Sequence, residues 1–257
     1  MSLSHEEESA LSAAISDGLD RAEKAWEKVG NQFVTKYTFA MDSVRFQEQK
    51  APSKIPGHLL VTDGIPKVDD FIAMVVDMRD STQRLKTRLA PPKISGFQRV
   101  FYETSALLPA ISVLSSFEDG SVTEYLGDGA LALFQVDRND IVNSVRNAGR
   151  VARNCISTMR TLLNQELESR YNLPRVDLGV GLAISKAMVT LVGSDDNLQP
   201  KAIGECVWEA TKLSGGRNKV FVSQNIYENW PTSKGGLLRF AKDTVRGVEG
   251  YRIYKEK

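Results

Sequence analysis

Two aspartates carry most of the chemistry this sequence offers. The stretch "DFIAMVVDMRDSTQRL" (70–85) runs through six apolar residues, Phe71 to Val76, and then reaches Asp77, with Arg79, Asp80, Ser81 and Thr82 directly behind it. A carboxylate at the end of a core strand is costly unless something positive meets it. A second carboxylate, Asp128, stands between two glycines in "SVTEYLGDGALALF" (121–134). If the strands bearing these residues are neighbours, both acids project from one sheet edge. They then repel unless one is protonated or a cation lies between them. Magnesium and manganese suit such a place, because they take oxygen ligands and are shared between a few carboxylates and a substrate's phosphates. A pair of such ions can activate an attacking oxygen and neutralise a transferring phosphorus. The donor-rich "MRDST" (78–82) completes the outline of a triphosphate site, with backbone amides opening a helix there. Each acid also has a plain structural reading: Asp-Gly is a common hairpin turn, and Asp77 could cap the helix that follows.

The elements that must position these groups follow from periodicity. Residues 6–48 read as helix, with Ile15, Leu19, Ala22, Trp26, Val29 and Phe33 spaced by fours and threes, an a/d seam. That seam either packs on the main domain or pairs with another copy. "APSKIPGHLLVTDGIPK" (51–67) holds three prolines and two glycines and reads as a linker. Beyond it the reading is a strand at 71–76, helices at 80–90 and 93–116, a hairpin around Gly127-Asp128-Gly129, and a long amphipathic helix at 139–169. Two further strands are expected at 175–185 and 186–193, then a short helix in "GECVWEATKLSGG", a strand "KVFVS", a helical turn at 223–229 and a closing hairpin. This order implies an α+β domain with a largely antiparallel sheet. The division expected is an N-terminal helical extension and linker over 1–58 and a catalytic domain over 59–257.

Composition narrows the classes. The net charge of +1 points to no general nucleic-acid or membrane-surface binder. The two histidines, His5 and His58, fall outside the patterned region, which disfavours histidine-based zinc chemistry and a Ser–His–Asp triad. Cys155 and Cys206 have no metal-ligand spacing and read as small buried hydrophobes. No early apolar stretch looks like a signal peptide, and no run is long enough to span a bilayer, so a cytoplasmic location is expected.

The motifs taken together resemble class III nucleotide cyclases, the adenylate and guanylate cyclase superfamily. "FIAMVVDMRDST" looks like that family's metal-binding strand and loop, and "EYLGDGALALF" like its second metal motif. "RVDLGVGLAIS…VTLVG" is similar to its glycine-marked strand pair, "AIGECVWEATKL" to the helix carrying base and transition-state contacts, and "VRGVEGYRIY" to its terminal hairpin. The resemblance implies a ferredoxin-like cyclase domain working as a homodimer, with each site shared between protomers. It implies that Asp77, Asp128 and the Met78 carbonyl bind two divalent cations, Mg²⁺ or Mn²⁺. Arg79, Asp80, Ser81, Thr82 and Arg246 would take the triphosphate, Arg246 standing where the family usually has a lysine. Lys212 stands where the family usually has a transition-state arginine. Outside the resemblance, Lys212 and Arg246 read as solvated surface charges.

The resemblance also implies that Glu124 and Lys201 stand at the family's base-reading positions, with the usual adenine pattern reversed in charge. An ionised Glu124 only accepts and Lys201 only donates. Uracil, with N3–H beside O4, and guanine, with N1–H and N2–H₂ beside O6, both suit that pair; cytosine and adenine present an acceptor to the carboxylate. A plain salt bridge between the two residues is the alternative. Trp208 replaces the family's ribose-side asparagine; its indole either fills purine space and stacks on a small base or belongs to an interface core. The compact chain also resembles the pyrimidine cyclases of bacterial Pycsar anti-phage systems. The expectation is therefore conversion of UTP to cyclic UMP and pyrophosphate. The alternatives are a guanylate, cytidylate or adenylate cyclase, a catalytically silent nucleotide-binding homologue, or an α+β interaction protein.

Overall fold

The computed structural model describes Lys28 and residues 50–87, 96–194, 197–231 and 236–255. The helix expected over 6–48 lies outside these residues except at Lys28, which is helical. In chain order the elements are β1 (Lys50–Pro52), β2 (Leu60–Thr62), β3 (Lys67–Met78), α1 (Ser81–Lys86), α2 (Gly96–Ser116), β4 (Ser121–Tyr125) and β5 (Gly129–Gln135). Then come α3 (Ile141–Asn154), a π-helical turn (Cys155–Met159), α4 (Arg160–Tyr171), β6 (Leu178–Val192), β7 (Gln199–Gly204) and α5 (Glu205–Leu213). The chain closes with β8 (Lys219–Val222), α6 (Gln224–Glu228), β9 (Leu238–Val245) and β10 (Val248–Lys255).

The chain divides into two compact units, residues 1–69 with 186–203 and residues 70–185 with 204–257. In the smaller unit the expected linker is partly ordered, because β1 and β2 pair antiparallel with Ala51 opposite Val61. Pro52 is tolerated there because a two-stranded ribbon leaves its strands as edges. Strands β4-β5-β3-β6-β8-β10-β9 form one sheet, with β7 pairing β6 off that path. The sheet is mixed and mostly antiparallel: β3–β5, β4–β5, β8–β10 and β9–β10 run antiparallel, while β6 and β8 run parallel. The expected α+β class, with helices and a mostly antiparallel sheet, is the class observed.

Two expected strands at 175–185 and 186–193 are one continuous 15-residue strand, β6. The polar pair Ser185-Lys186 interrupts the apolar run without interrupting the backbone. Residues 141–171 form one helical run whose register slips through the π turn, where Cys155 and Met159 are buried. Cys155 and Cys206 are buried free thiols, and burial pushes the Cys155 thiol up to about 12.

The sheet is covered on both faces. Alternate residues of β3, Ile72, Met74, Val76 and Met78, join Leu107 and Ile111 of α2 and Val145, Ala148 and Ala152 of α3 in the main core. The other set, Phe71, Ala73 and Val75, is equally buried and points to the opposite face, as the period of two requires. On that face α5 lies against β6. A Cβ on Gly181 would stand 2.1 Å from the Ala210 carbonyl oxygen, and one on Gly179 would stand 2.0 Å from that of Ser214. The two glycines of "DLGVG" therefore let the end of α5 touch the sheet. Ser185 Oγ accepts the Cys206 N–H at 2.8 Å and fixes the start of the same helix. Among the described residues no helix is long and apolar enough to cross a membrane.

Candidate active site

Asp77 is the penultimate residue of β3, one short of the strand end expected for it. By alternation it shares the face of Phe71, Ala73 and Val75, the face on which α5 packs. Across the ladder Asp77 pairs with Gly129 of β5, and the Met78 N–H donates to the Asp128 carbonyl at 3.1 Å. The two acids thus meet at one sheet edge, as the sequence led us to expect if their strands were neighbours.

The turn that presents Asp128 lies within the hairpin expected around Gly127-Asp128-Gly129. The Leu126 N–H donates to the Gly129 carbonyl at 2.8 Å, so Gly127 and Asp128 are the central residues. Positive φ falls on Gly127 (84°) and not on Asp128, the pattern of a type II′ turn. Gly129 is needed for another reason: a Cβ there would stand 2.3 Å from the Val76 carbonyl oxygen.

Two guanidinium groups converge on the same carboxylate oxygen. Arg79 Nη2 donates to Asp77 Oδ2, and Arg246 Nη2 reaches the same atom at 3.5 Å. Arg246 is brought there by the β9–β10 hairpin, where Val245 pairs with Val248. Arg246 and Gly247 both carry positive φ, 47° and 81°, as a type I′ turn demands. Burial raises the Asp77 carboxyl above the usual carboxylate value and the nearby Asp128 charge pushes the same way, against the pull of Arg79 and Arg246.

Asp80 turns the chain out of β3 in the left-handed region (φ 59°) and precedes α1 without a side-chain capping bond. Its carboxylate instead receives Arg217 Nη2. Arg217 also donates to Asp177 Oδ2 at 2.7 Å, and Asn218 Nδ2 donates to Asp177 Oδ1 at 2.7 Å. The Asp177 carbonyl accepts the Arg79 N–H at 2.8 Å. Burial alone would raise the Asp177 carboxyl, but its bonds from Asn218 and Arg217 hold it below the usual range. The 79–82 loop is therefore strapped to the chain before β6 and before β8. On its far side, Arg84 of α1 pairs with the fully buried Glu103 of α2 and donates to the Pro174 and Arg175 carbonyls at 2.9 and 3.1 Å. The sequence reading missed Asp177, Arg217 and Asn218. The available sign was a second charge abutting a buried apolar run, Asp177 before Leu178, as Asp77 ends the run at 71–76.

Ser81 and Thr82 open α1, a helix of only six residues. Lys212 and Trp208 are one turn apart on α5, with Lys212 Nζ 5.9 Å from the indole centroid, a cation–π contact. Trp208 is 56% exposed, so it is not core of this chain. Glu124 follows a β-bulge: Val122 pairs with Ala132 and Glu124 with Leu131, leaving Thr123 as the extra residue. Bulges re-aim side chains and are frequent beside active sites. Lys201 lies on β7, half-buried, in the smaller unit.

Among the described residues no three or more His, Cys, Asp or Glu side chains group as a metal cluster. The two-carboxylate, all-oxygen set of Asp77 and Asp128 still fits Mg²⁺ or Mn²⁺, which need only one or two carboxylates when phosphates and water supply the rest.

No family model matches the chain. It is 26% identical over 219 residues, 82% of its length, to the terminal-differentiation-specific adenylate cyclase of Dictyostelium discoideum, and it spans only 10% of that protein. Among solved structures, it resembles the adenylyl cyclase CyaB from P. aeruginosa with a TM-score of 0.60 at 14% identity, over 75% of this chain and 97% of that one. The guanylyl cyclase Cya2 gives 0.58 at 16% identity, over 74% and 92%. The guanylate cyclase domain of RhGC from Catenaria anguillulae, solved with GTP, gives 0.54 at 14% identity, over 74% and 100%. Over about three quarters of its length, the chain has the fold of the adenylyl and guanylyl cyclase domains.

Proposed function

We propose that this chain is a nucleotide cyclase acting as a homodimer on a nucleoside triphosphate. The 3′-hydroxyl oxygen forms a bond to the α-phosphorus, the bond from that phosphorus to the bridging oxygen breaks, pyrophosphate leaves, and the hydroxyl proton passes to solvent. Asp77, Asp128 and the Met78 carbonyl would hold divalent cations, which when bound would neutralise charge at the phosphates and acidify the hydroxyl. The observation that carries this reading is the Asp77–Asp128 pair at one sheet edge, with the Arg79 and Arg246 guanidinia gathered on it. Those guanidinia, with the backbone and hydroxyls of residues 80–82, form the triphosphate side of the site. The Asp80 carboxylate faces Arg217 and serves to hold the loop. Lys212 supplies positive charge toward the phosphates from the partner protomer.

For the base, Glu124 accepts and Lys201 donates, which favours uracil, and Trp208 offers an exposed indole on which a small base can stack. The product is then cyclic UMP, and its proposed role is as an alarm signal in anti-phage defence. Guanine is the second reading: it matches the same donor–acceptor pair, and two of the structural neighbours are guanylyl cyclases. Incubating the purified protein with each of the four NTPs and Mn²⁺, and identifying the product by mass, separates them. Cyclic UMP should dominate, and Glu124→Ala and Lys201→Ala should each cut the preference between bases by about tenfold to a hundredfold. Cyclic GMP as the main product overturns the uridine reading, and no cyclic product from any NTP overturns the cyclase reading.

A further inference from the structure

Arg79, two residues behind Asp77, has a side chain that is nine-tenths buried and only partly satisfied. Its guanidinium has five N–H donors. One of them goes to Asp77 Oδ2, while Nε is buried and has no hydrogen-bond partner among the described residues. A buried guanidinium with one good contact and one orphaned donor is poorly held. It gains from any anion that can offer two oxygens side by side, as a phosphate does. Its backbone is not free to move with it: the Arg79 N–H is bound to the Asp177 carbonyl, and the next residue, Asp80, is pinned by Arg217. Only the side chain can change partners.

Charge balance points the same way. Asp77 and Asp128 bring two negative charges, and Arg79 and Arg246 bring two positive ones to the same oxygen. A divalent cation on Asp77 and the Arg79 guanidinium therefore compete for Oδ2. We infer that Arg79 is a partner-exchange residue: it is the internal counter-ion of Asp77 in the nucleotide-free protein, and it passes to the triphosphate when metal takes the carboxylate. The inference rests on the cyclase reading and deepens it. It assigns Arg79 a cost to metal binding alone and a gain to metal and nucleotide binding together. The two ligands thus assist each other through one side chain.

The test is Mn²⁺ binding without nucleotide, followed by loss of the free Mn²⁺ electron paramagnetic resonance signal. Arg79→Gln should bind Mn²⁺ about tenfold more tightly than wild type, since one positive charge has left contact with the carboxylate. Arg79→Lys, which keeps the charge, should stay near wild type, and Asp77→Ala should lose the site. Adding a non-cyclisable 3′-deoxy nucleoside triphosphate should tighten Mn²⁺ binding more in wild type than in Arg79→Gln. Binding that depends on Asp77 but is unchanged or weakened in Arg79→Gln overturns this inference and leaves the cyclase reading standing. Binding equal in wild type and Asp77→Ala overturns both. Should Arg79→Gln fail to fold, wild type gives the answer. The Arg79 Nε–Hε NMR resonance, identified by its loss in Arg79→Lys, should move on adding Mg²⁺ alone, and a resonance unmoved at saturating Mg²⁺ overturns the exchange.

Discussion

At the scale of single residues, Asp77 is governed by opposed influences. Burial and Asp128 favour its neutral form; Arg79 and Arg246 favour the carboxylate, and the balance leaves its carboxyl above the usual range. Two consequences follow with definite sign. A carboxyl raised on folding holds its proton more tightly in the native state, so its contribution to stability is present at low pH and lost as pH rises through the raised value. Metal binding runs the other way, because only the carboxylate is a ligand. As pH is lowered, Mn²⁺ affinity should therefore begin to fall at a higher pH than ionisation of an ordinary aspartate of pKa about 3.9 would give. A titration of Mn²⁺ affinity against pH, with Asp128→Asn as the variant that removes the neighbouring charge, checks this. In Asp128→Asn the remaining binding should hold to lower pH. Affinity in wild type that falls only across the ordinary aspartate range would mean that the guanidinia outweigh burial.

At the scale of elements, the loop after β3 works because its neighbours clamp it. Asp177 accepts from Arg217 and Asn218 while its own carbonyl takes the Arg79 N–H. The Asp177 carboxyl is held below the usual range, so its stabilisation is present above the unfolded-state value and lost as pH falls through the lower folded one. Asp177→Ala should cost about 2 kcal/mol near neutral pH, the worth of charged hydrogen bonds in a partly buried place. The gap from wild type should narrow in acid; denaturant melts at neutral and acid pH measure both, and a gap independent of pH would put the loss down to packing. This clamp was not legible in the sequence, because Arg217 and Asp80 are far apart in the chain and no periodicity links them. The strand at 71–76 was legible, since six apolar residues before a charge allow little else. So was the hairpin carrying Asp128, but not the reason for Gly129: Asp-Gly preference is local, whereas the close approach of Gly129 to Val76 is set by the ladder. The single strand β6 was read as two because side-chain polarity at Ser185-Lys186 changes while backbone pairing does not. The ribbon of β1 and β2 was hidden under prolines that edge strands accept.

At the scale of the whole molecule, the proposed site is assembled from two copies. The acids proposed to bind metal sit on β3 and at the β4–β5 turn, while Lys212 and Trp208 sit on α5 and contact each other. With Trp208 more than half exposed on one chain, a second chain is the simplest source of a wall for the base. A symmetric dimer then carries two equivalent composite sites, each taking its acids from one protomer and its lysine and indole from the other. Asp77→Ala and Lys212→Ala should each be inactive as homodimers, since every site lacks one half. Mixed in equal amounts and allowed to exchange, they form mixed dimers in which one site has lost both halves and the other is intact. Activity should recover to about a quarter of wild type, as about half the dimers are mixed and each has one working site. Asp77→Ala mixed with Asp128→Ala should recover nothing, because both lesions fall on the same half and no exchange assembles a complete site. Recovery in that second mixture would mean that Asp77 and Asp128 serve one site from different chains, and none in the first despite demonstrated subunit exchange would place all the catalytic groups on a single chain.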